Sequence, residues 1–218
     1  MSQNVIKSAV PGIYRSVIKS KNTTLTLHKP KKTMRRPHNV PYIVDNLWEW
    51  KRPGDFPSRR FSAFASPQQY LAKEDGPEGG TVFLVKFKNR VKVCQLTGTK
   101  DSKYHRDIGL FNKLMPSIVE QLSIKEKIVY EKELEILSTP CLTKNDIDAL
   151  FEKFEILKEL RDEIYTAITY WDDVKLIKDV NNILDEKGEI FFQAVDGYYL
   201  RSLEESLETK NGPGKMNI

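Results

Sequence analysis

The 218-residue chain is poor in the residues that build metal and disulfide frameworks: it has two cysteines, Cys94 and Cys141, and three histidines, His28, His38 and His105. Two thiols are too few for a disulfide scaffold, and the five side chains never come at the paired spacing of zinc or haem sites, so neither a disulfide nor a metal is expected. Long apolar runs are also missing. The most continuous ones, Val82 to Val85 and Ile190 to Phe192, fall far short of the roughly 20 residues of a membrane-spanning helix. The opening residues Met1 to Lys7 have no apolar core of signal-peptide type, which makes a cytoplasmic protein with reduced thiols and no membrane contact the expectation.

Several catalytic motifs are absent as well. Gly-x-Ser-x-Gly does not occur, and Gly76-Pro77-Glu78-Gly79-Gly80 lacks the Lys-Ser or Lys-Thr of a phosphate-binding loop and reads as a turn. Tyr104-His105-Arg106-Asp107 imitates the His-Arg-Asp of a kinase catalytic loop, but the glycine-rich loop and Asp-Phe-Gly that would give it meaning are missing. The mixed charges of Lys125 to Glu135 and Glu152 to Glu163 read as solvated helix faces. Acid is scarce in one place only: residues 1 to 44 carry nine Lys and Arg and no Asp or Glu, so the other 26 bases face all 30 acids. A basic end of this kind suits an anionic partner.

What is present alternates between strand and helix. Gly12 to Ser20 and Thr23 to Leu27 read as strands, and Lys29 to Pro41, with three prolines, as an exposed basic loop. Pro41 to Trp50 reads as a short helix closed by Pro53, Phe61 to Ser66 as a period-two strand, and Pro67 to Lys73 as a short helix. Thr81 to Phe87 and Val91 to Leu96, separated by Lys88-Asn89-Arg90, suggest a hairpin. Ile147, Leu150, Phe151, Phe154, Leu157, Leu160 and Ile164 recur at helical spacing, with Thr143 placed to cap. A second helix is expected from about Trp171 to Leu184, then strands at Glu189 to Ala194 and Tyr198 to Leu200 around an Asp196-Gly197 turn. The expectation is a single α+β domain over 1-218. It has a basic loop at 28-41, a mainly helical stretch at 104-187 inserted before the late strands, and a fraying tail at 208-218.

Three short anchors carry a resemblance: Tyr14-Arg15 on the first strand, Phe64-Ala65-Ser66-Pro67 where a strand runs into a helix, and Glu189-Ile190-Phe191 at the start of a late strand. In order and setting they resemble the ADP-ribosyltransferase superfamily, in particular the Arg-Ser-Glu branch and the nucleic-acid-modifying bacterial toxins of the DarT and CmdT kind. The resemblance implies a split mixed or antiparallel β-sheet with NAD, as substrate, in an extended cleft. It also implies Glu189 as the catalytic carboxylate and Arg15 and Ser66 as NAD-binding residues, with Ser62 as the other serine of that strand. Phe64, Tyr70 and Trp48 are the candidates to cover the nicotinamide. Lys187 stands where many members have a Glu or Gln two residues before the catalytic Glu, which argues against protein-arginine modification.

The function this implies is transfer of ADP-ribose to a DNA or RNA base by a toxin or antiviral-defence effector, with a neutralising antitoxin protein as a further partner. Lys31, Lys32, Arg35, Arg36, Arg59 and Arg60 are the expected nucleic-acid contacts. A non-enzymatic nucleic-acid-binding protein using the same basic region is the alternative, and a helical protein-interaction module the third reading.

Overall fold

The computed structural model describes residues 12–109 except 22, 25, 31 and 32, residue 132, and residues 135–203 except 180 and 181. Among the described residues, seven strands form two antiparallel sheets. The first sheet has the order β1-β3-β7 and the second β2-β6-β4-β5, where β1 is Tyr14–Val17, β2 Ala63–Ala65, β3 Thr81–Phe87, β4 Val91–Leu96, β5 Val174–Leu176, β6 Ile190–Ala194 and β7 Tyr198–Ser202. The helices are α1 (Tyr42–Lys51), α2 (Gln69–Glu74), α3 (Lys144–Lys153), α4 (Glu155–Ala167) and α5 (Tyr170–Asp173). The chain is therefore α+β, with its sheet split in two.

The two sheets touch where the chain is most constrained. Tyr14 and Ser66 form an isolated antiparallel bridge, each backbone N–H donating to the other's carbonyl over 2.8 Å. That bridge stitches the start of β1 to the end of β2. One apolar core, built on Ile13, Phe83, Val85, Val93, Ile190, Phe192 and Leu200, fills the space between the sheets. The opposite face of the second sheet presents Cys94, Leu96 and Phe191 to a larger core with Leu47, Trp48, Trp50, Phe151, Tyr170 and Trp171. Because side chains alternate along a strand, a strand buried on both faces must be apolar throughout. Ile190-Phe191-Phe192 is the short run that meets this demand.

Three expectations are corrected here. Thr81 to Phe87 and Val91 to Leu96 are strands but not a hairpin: β3 pairs with β1 and β7, while β4 pairs with β5 and β6. Lys88-Asn89-Arg90 carries the chain from one sheet to the other. Among the described residues of Thr23 to Leu27 none is in a strand: the Thr23 hydroxyl accepts from the Ser20 backbone N–H at 2.7 Å and closes a turn, and the next residue, His28, forms an isolated bridge to Tyr198. The helix expected from Trp171 to Leu184 is the single turn α5 followed by β5, because Val174 to Leu176 adds to the open edge of β4 and Ile177 donates its N–H to Val93 at 2.9 Å. Edge pairing and burial of Val174 outweigh a local helical period. The periodic segment after Thr143 is helical as expected, with a break at Phe154, whose φ of −108° and ψ of 117° separate α3 from α4. The tail at 208-218 lies outside the described residues.

Candidate functional site

A cleft of about 340 Å³ opens where the sheets part, beside the Tyr14–Ser66 bridge. Arg15, Phe64, Ser66 and Glu189, far apart in sequence, all line it. Arg15 follows Tyr14 on β1, and its guanidinium crosses to β2, donating to the Phe64 carbonyl at 2.5 Å. Its Nε is buried and has no hydrogen-bond partner among the described residues, and the same holds for the Ser16 hydroxyl and Arg59 Nε. An unpaired buried donor is costly. Two such guanidinium nitrogens, on Arg15 and Arg59, belong to residues that line this cleft.

Glu189 sits immediately before β6. Gly188 is required beside it, since a Cβ at that position would collide with the Leu96 carbonyl oxygen. The glycine lets the backbone approach β4 closely enough for Leu96 N–H to reach the Glu189 carbonyl at 2.9 Å. The Glu189 carboxylate is 15% exposed as a side chain and pairs with Arg59 at 3.0 Å. It also accepts from the Ser102 hydroxyl. Both donors converge on Oε2, and among the described residues none reaches Oε1.

Arg59 is the central cation of the site, although from sequence it is expected at a nucleic-acid surface. Its side chain is 10% exposed, and the guanidinium packs within 4.8 to 5.6 Å of the Phe64, Phe191, Tyr170 and Trp48 ring centroids. Burial alone would lower its pKa, but the Glu189 carboxylate opposes this through its charge and its hydrogen bond, and the guanidinium stays above the usual arginine value. Burial raises the Tyr170 phenol above its ordinary range, against the opposing pull of Arg59, so the phenol keeps its proton.

Arg35 is also displaced from its expected role. Its backbone N–H donates to the Arg60 carbonyl at 2.9 Å, and its guanidinium lies 4.0 Å from the Phe64 ring centroid. Phe64 thus touches Arg35 and Arg59 together. Burial and the neighbouring Arg59 both lower the Arg35 pKa. The cleft is lined by five bases, Arg15, Arg35, Arg59, Arg60 and Lys100, and four acids, Asp45, Asp75, Asp101 and Glu189; Arg15, Arg35 and Arg59 stand near one another, a cluster of guanidinium groups with the forked geometry that matches a phosphate-bearing anion.

Four further residues take positions other than those expected. Arg60 is buried and committed to Asp45 at 2.8 Å, Asn46 at 2.6 Å and the Leu142 carbonyl, so it braces the fold instead of gripping nucleic acid. Trp48 is buried in the helical core, where its Nε1 donates to Asp107 at 2.9 Å and its ring stacks on Tyr170 at 4.0 Å. Tyr70 is exposed on α2 and does not line the cleft. Ser62 is buried and donates to the Ser58 carbonyl at 2.7 Å. Four residues apart, Ser62 and Ser66 would share a face of one continuous strand, but β2 is only Ala63–Ala65 and a 3-10 turn over Arg59–Phe61 precedes it. Arg36 is exposed, as expected of a basic loop, and Lys31 and Lys32 lie outside the described residues.

Sequence reasoning misses Ser102 and Tyr170 altogether and misplaces Arg59. No local motif marks them: each is defined by its approach to Glu189 from a distant part of the chain. Among the described residues, no group of three or more His, Cys, Asp and Glu is placed to hold a metal ion, and no helix is long and apolar enough to cross a membrane. Comparison with protein-family models, curated proteins and solved structures produced no match.

Proposed function

We propose that the chain is an NAD-dependent ADP-ribosyltransferase that modifies a nucleic-acid base. The observation that carries this reading is the meeting of Arg15, Ser66 and Glu189 on one cleft between the halves of a split sheet, the arrangement the three anchors imply. The residues suit NAD. Arg15 and Arg35 offer guanidinium groups to its pyrophosphate, with charge-assisted and forked hydrogen bonds. Phe64 offers a ring face for the planar nicotinamide once Arg35, which now covers it at 4.0 Å, turns to the phosphates. Ser66 is the hydroxyl available to orient a ribose or the carboxamide.

The reaction breaks the bond between ribose C1′ and the nicotinamide nitrogen. The leaving nicotinamide takes the bonding pair and becomes neutral, while C1′ acquires oxocarbenium character. A base nitrogen or oxygen of the acceptor then bonds to C1′ and releases its proton. The free Oε1 of Glu189 is available to the ribose 2′-hydroxyl, and its charge opposes the positive charge that builds at C1′. That interaction is stronger in the transition state than in the ground state, which is the condition for catalysis.

The test is incubation of the purified protein with NAD labelled in its adenylate half, in parallel with single-stranded DNA, duplex DNA, RNA and protein pools. Label transferred to a nucleic acid, with nicotinamide released in equal amount, is the expected result. NAD left intact in every pool, with nucleic acid still bound, would replace this reading with that of a non-enzymatic binding protein. A neutralising antitoxin protein belongs to the same proposal and would appear as a partner that suppresses the transfer.

A further inference from the structure

The carboxylate of Glu189 is held by a closed set of hydroxyls that the sequence does not disclose. Ser102 Oγ lies within hydrogen-bond reach of Glu189 Oε2 and, at 3.2 Å, of the Tyr170 hydroxyl. Arg59 Nη1 reaches Tyr170 Oη at 2.6 Å and Glu189 Oε2 at 3.0 Å. A carboxylate only accepts, a guanidinium only donates, and each hydroxyl has one proton. These facts leave a single assignment. Arg59 donates to both the Tyr170 oxygen and Glu189, Tyr170 donates to Ser102, and Ser102 donates to Glu189. The phenol, kept protonated by its burial, has its proton to give.

The fold fixes each member separately. Ser102 is fully buried in the 3-10 turn that follows β4, capped by Asp101, whose side chain accepts from Lys103 N–H. Tyr170 opens α5, and Asp107 clamps that start by accepting from Tyr170 N–H at 2.9 Å, the Thr169 hydroxyl at 2.7 Å and Trp48 Nε1 at 2.9 Å. The Tyr104-His105-Arg106-Asp107 stretch, which means nothing as a kinase motif, thus has a structural use.

We infer that Ser102 and Tyr170 are positioning residues for Glu189: they anchor Oε2 so that Oε1 faces the cleft in one orientation. The inference rests on the ADP-ribosyltransferase reading and adds to it two residues that touch neither NAD nor acceptor. A loose carboxylate still binds the ribose in some orientations but is seldom aligned when C1′ becomes positive. Loss of either hydroxyl is therefore a kcat effect and not a KM effect.

The experiment measures NAD cleavage by the full chain and by the Ser102→Ala and Tyr170→Phe variants, each also in the Glu189→Gln background. Each single hydroxyl variant should lose about 10- to 100-fold in kcat, in the range found when groups supporting an active-site ligand are removed, with KM for NAD changed less than about twofold. In the Glu189→Gln background the same changes should cost almost nothing, since groups acting through one residue are not additive. Melting curves accompany each variant. If Ser102→Ala unfolds, Tyr170→Phe, which deletes one oxygen from a ring packed on Trp48, gives the answer. Parental kcat in Tyr170→Phe, a raised KM with kcat unchanged, or the same fold-loss with and without Glu189 would each overturn the inference. A parental protein that cleaves no NAD would instead overturn the function from which it was drawn.

Discussion

At the residue scale, binding and chemistry part at Glu189. Glu189→Gln keeps the size of the side chain and a hydrogen-bonding oxygen but removes the charge that, on the proposed reading, opposes the oxocarbenium-like centre. Turnover should fall by about 100- to 1000-fold, or roughly 3 to 4 kcal/mol, while NAD affinity by calorimetry stays near the parental value. Parental turnover in this variant would remove Glu189 from the catalytic role. Arg60, one position along from Arg59, has a different duty. Its side chain is 2% exposed and its ion pair with Asp45 is buried, so Arg60→Ala should leave the Asp45 carboxylate without its cation, while Asn46 keeps the Leu142 N–H at 3.1 Å, and cost about 3 to 5 kcal/mol. Urea unfolding reads this directly, and a change under about 1 kcal/mol would mean that Asp45 finds another partner. Adjacent arginines in a sequence look alike; here one meets the cleft carboxylate of Glu189 and the other the buried carboxylate of Asp45. Only partners 130 and 15 residues away tell them apart.

At the scale of elements, Gly188 sets where β6 begins and hence where Glu189 stands. Gly188→Ala must push the chain off the Leu96 carbonyl, so it should lower both the melting temperature and NAD turnover. Gly54→Ala, at a site with nothing within 4 Å of the new methyl, should change neither. Equal behaviour of the two variants would show that the close approach of Gly188 to β4 does not matter. Helix α3 carries a pH signature of its own. Thr143 donates its hydroxyl and backbone N–H to Asp146 at 2.6 and 2.8 Å, and these bonds hold the carboxyl below its ordinary pKa. Because the folded value is the lower one, the stabilisation is present above the unfolded carboxylate's titration range and is lost as pH falls through the depressed value. Asp146→Ala should cost about 0.3 to 1 kcal/mol at neutral pH, and urea midpoints of variant and parent should converge in acid. A gap that persists there would assign the cap to the Thr143 hydroxyl alone. The cap at Thr143 was legible in the sequence, since the interaction is local; the reciprocal bonds from Thr143 to the Asp146 carboxylate came from the structure. The single turn of α5 and strand β5 were not, because pairing with β4 decides them.

At the scale of the whole molecule, the basic end of the chain divides in two. Arg35 belongs to the cleft, over Phe64, whereas Arg36 is exposed. Replacing Lys31, Lys32 and Arg36 by alanine should reduce the slope of log affinity for single-stranded nucleic acid against log salt by about 0.7 for each phosphate no longer neutralised, and leave NAD hydrolysis intact. Arg35→Ala should impair NAD hydrolysis. If both changes weaken NAD hydrolysis equally, the loop serves NAD alone and the acceptor is gripped elsewhere.

The sequence by itself determined the strands β1, β2, β3, β4, β6 and β7, the short helix α1 and the capped helix after Thr143, because alternation, helical period, caps and turn residues are properties of neighbouring positions. The tertiary structure alone decided that the sheet splits between β3 and β4, that Arg59 turns inward and Trp48 away from the cleft, and that Ser102 meets Glu189 while Tyr170 meets Ser102 and Arg59. Those outcomes depend on which strand edge is free to pair and on which buried donor must find an acceptor. Both are settled between residues far apart in the chain.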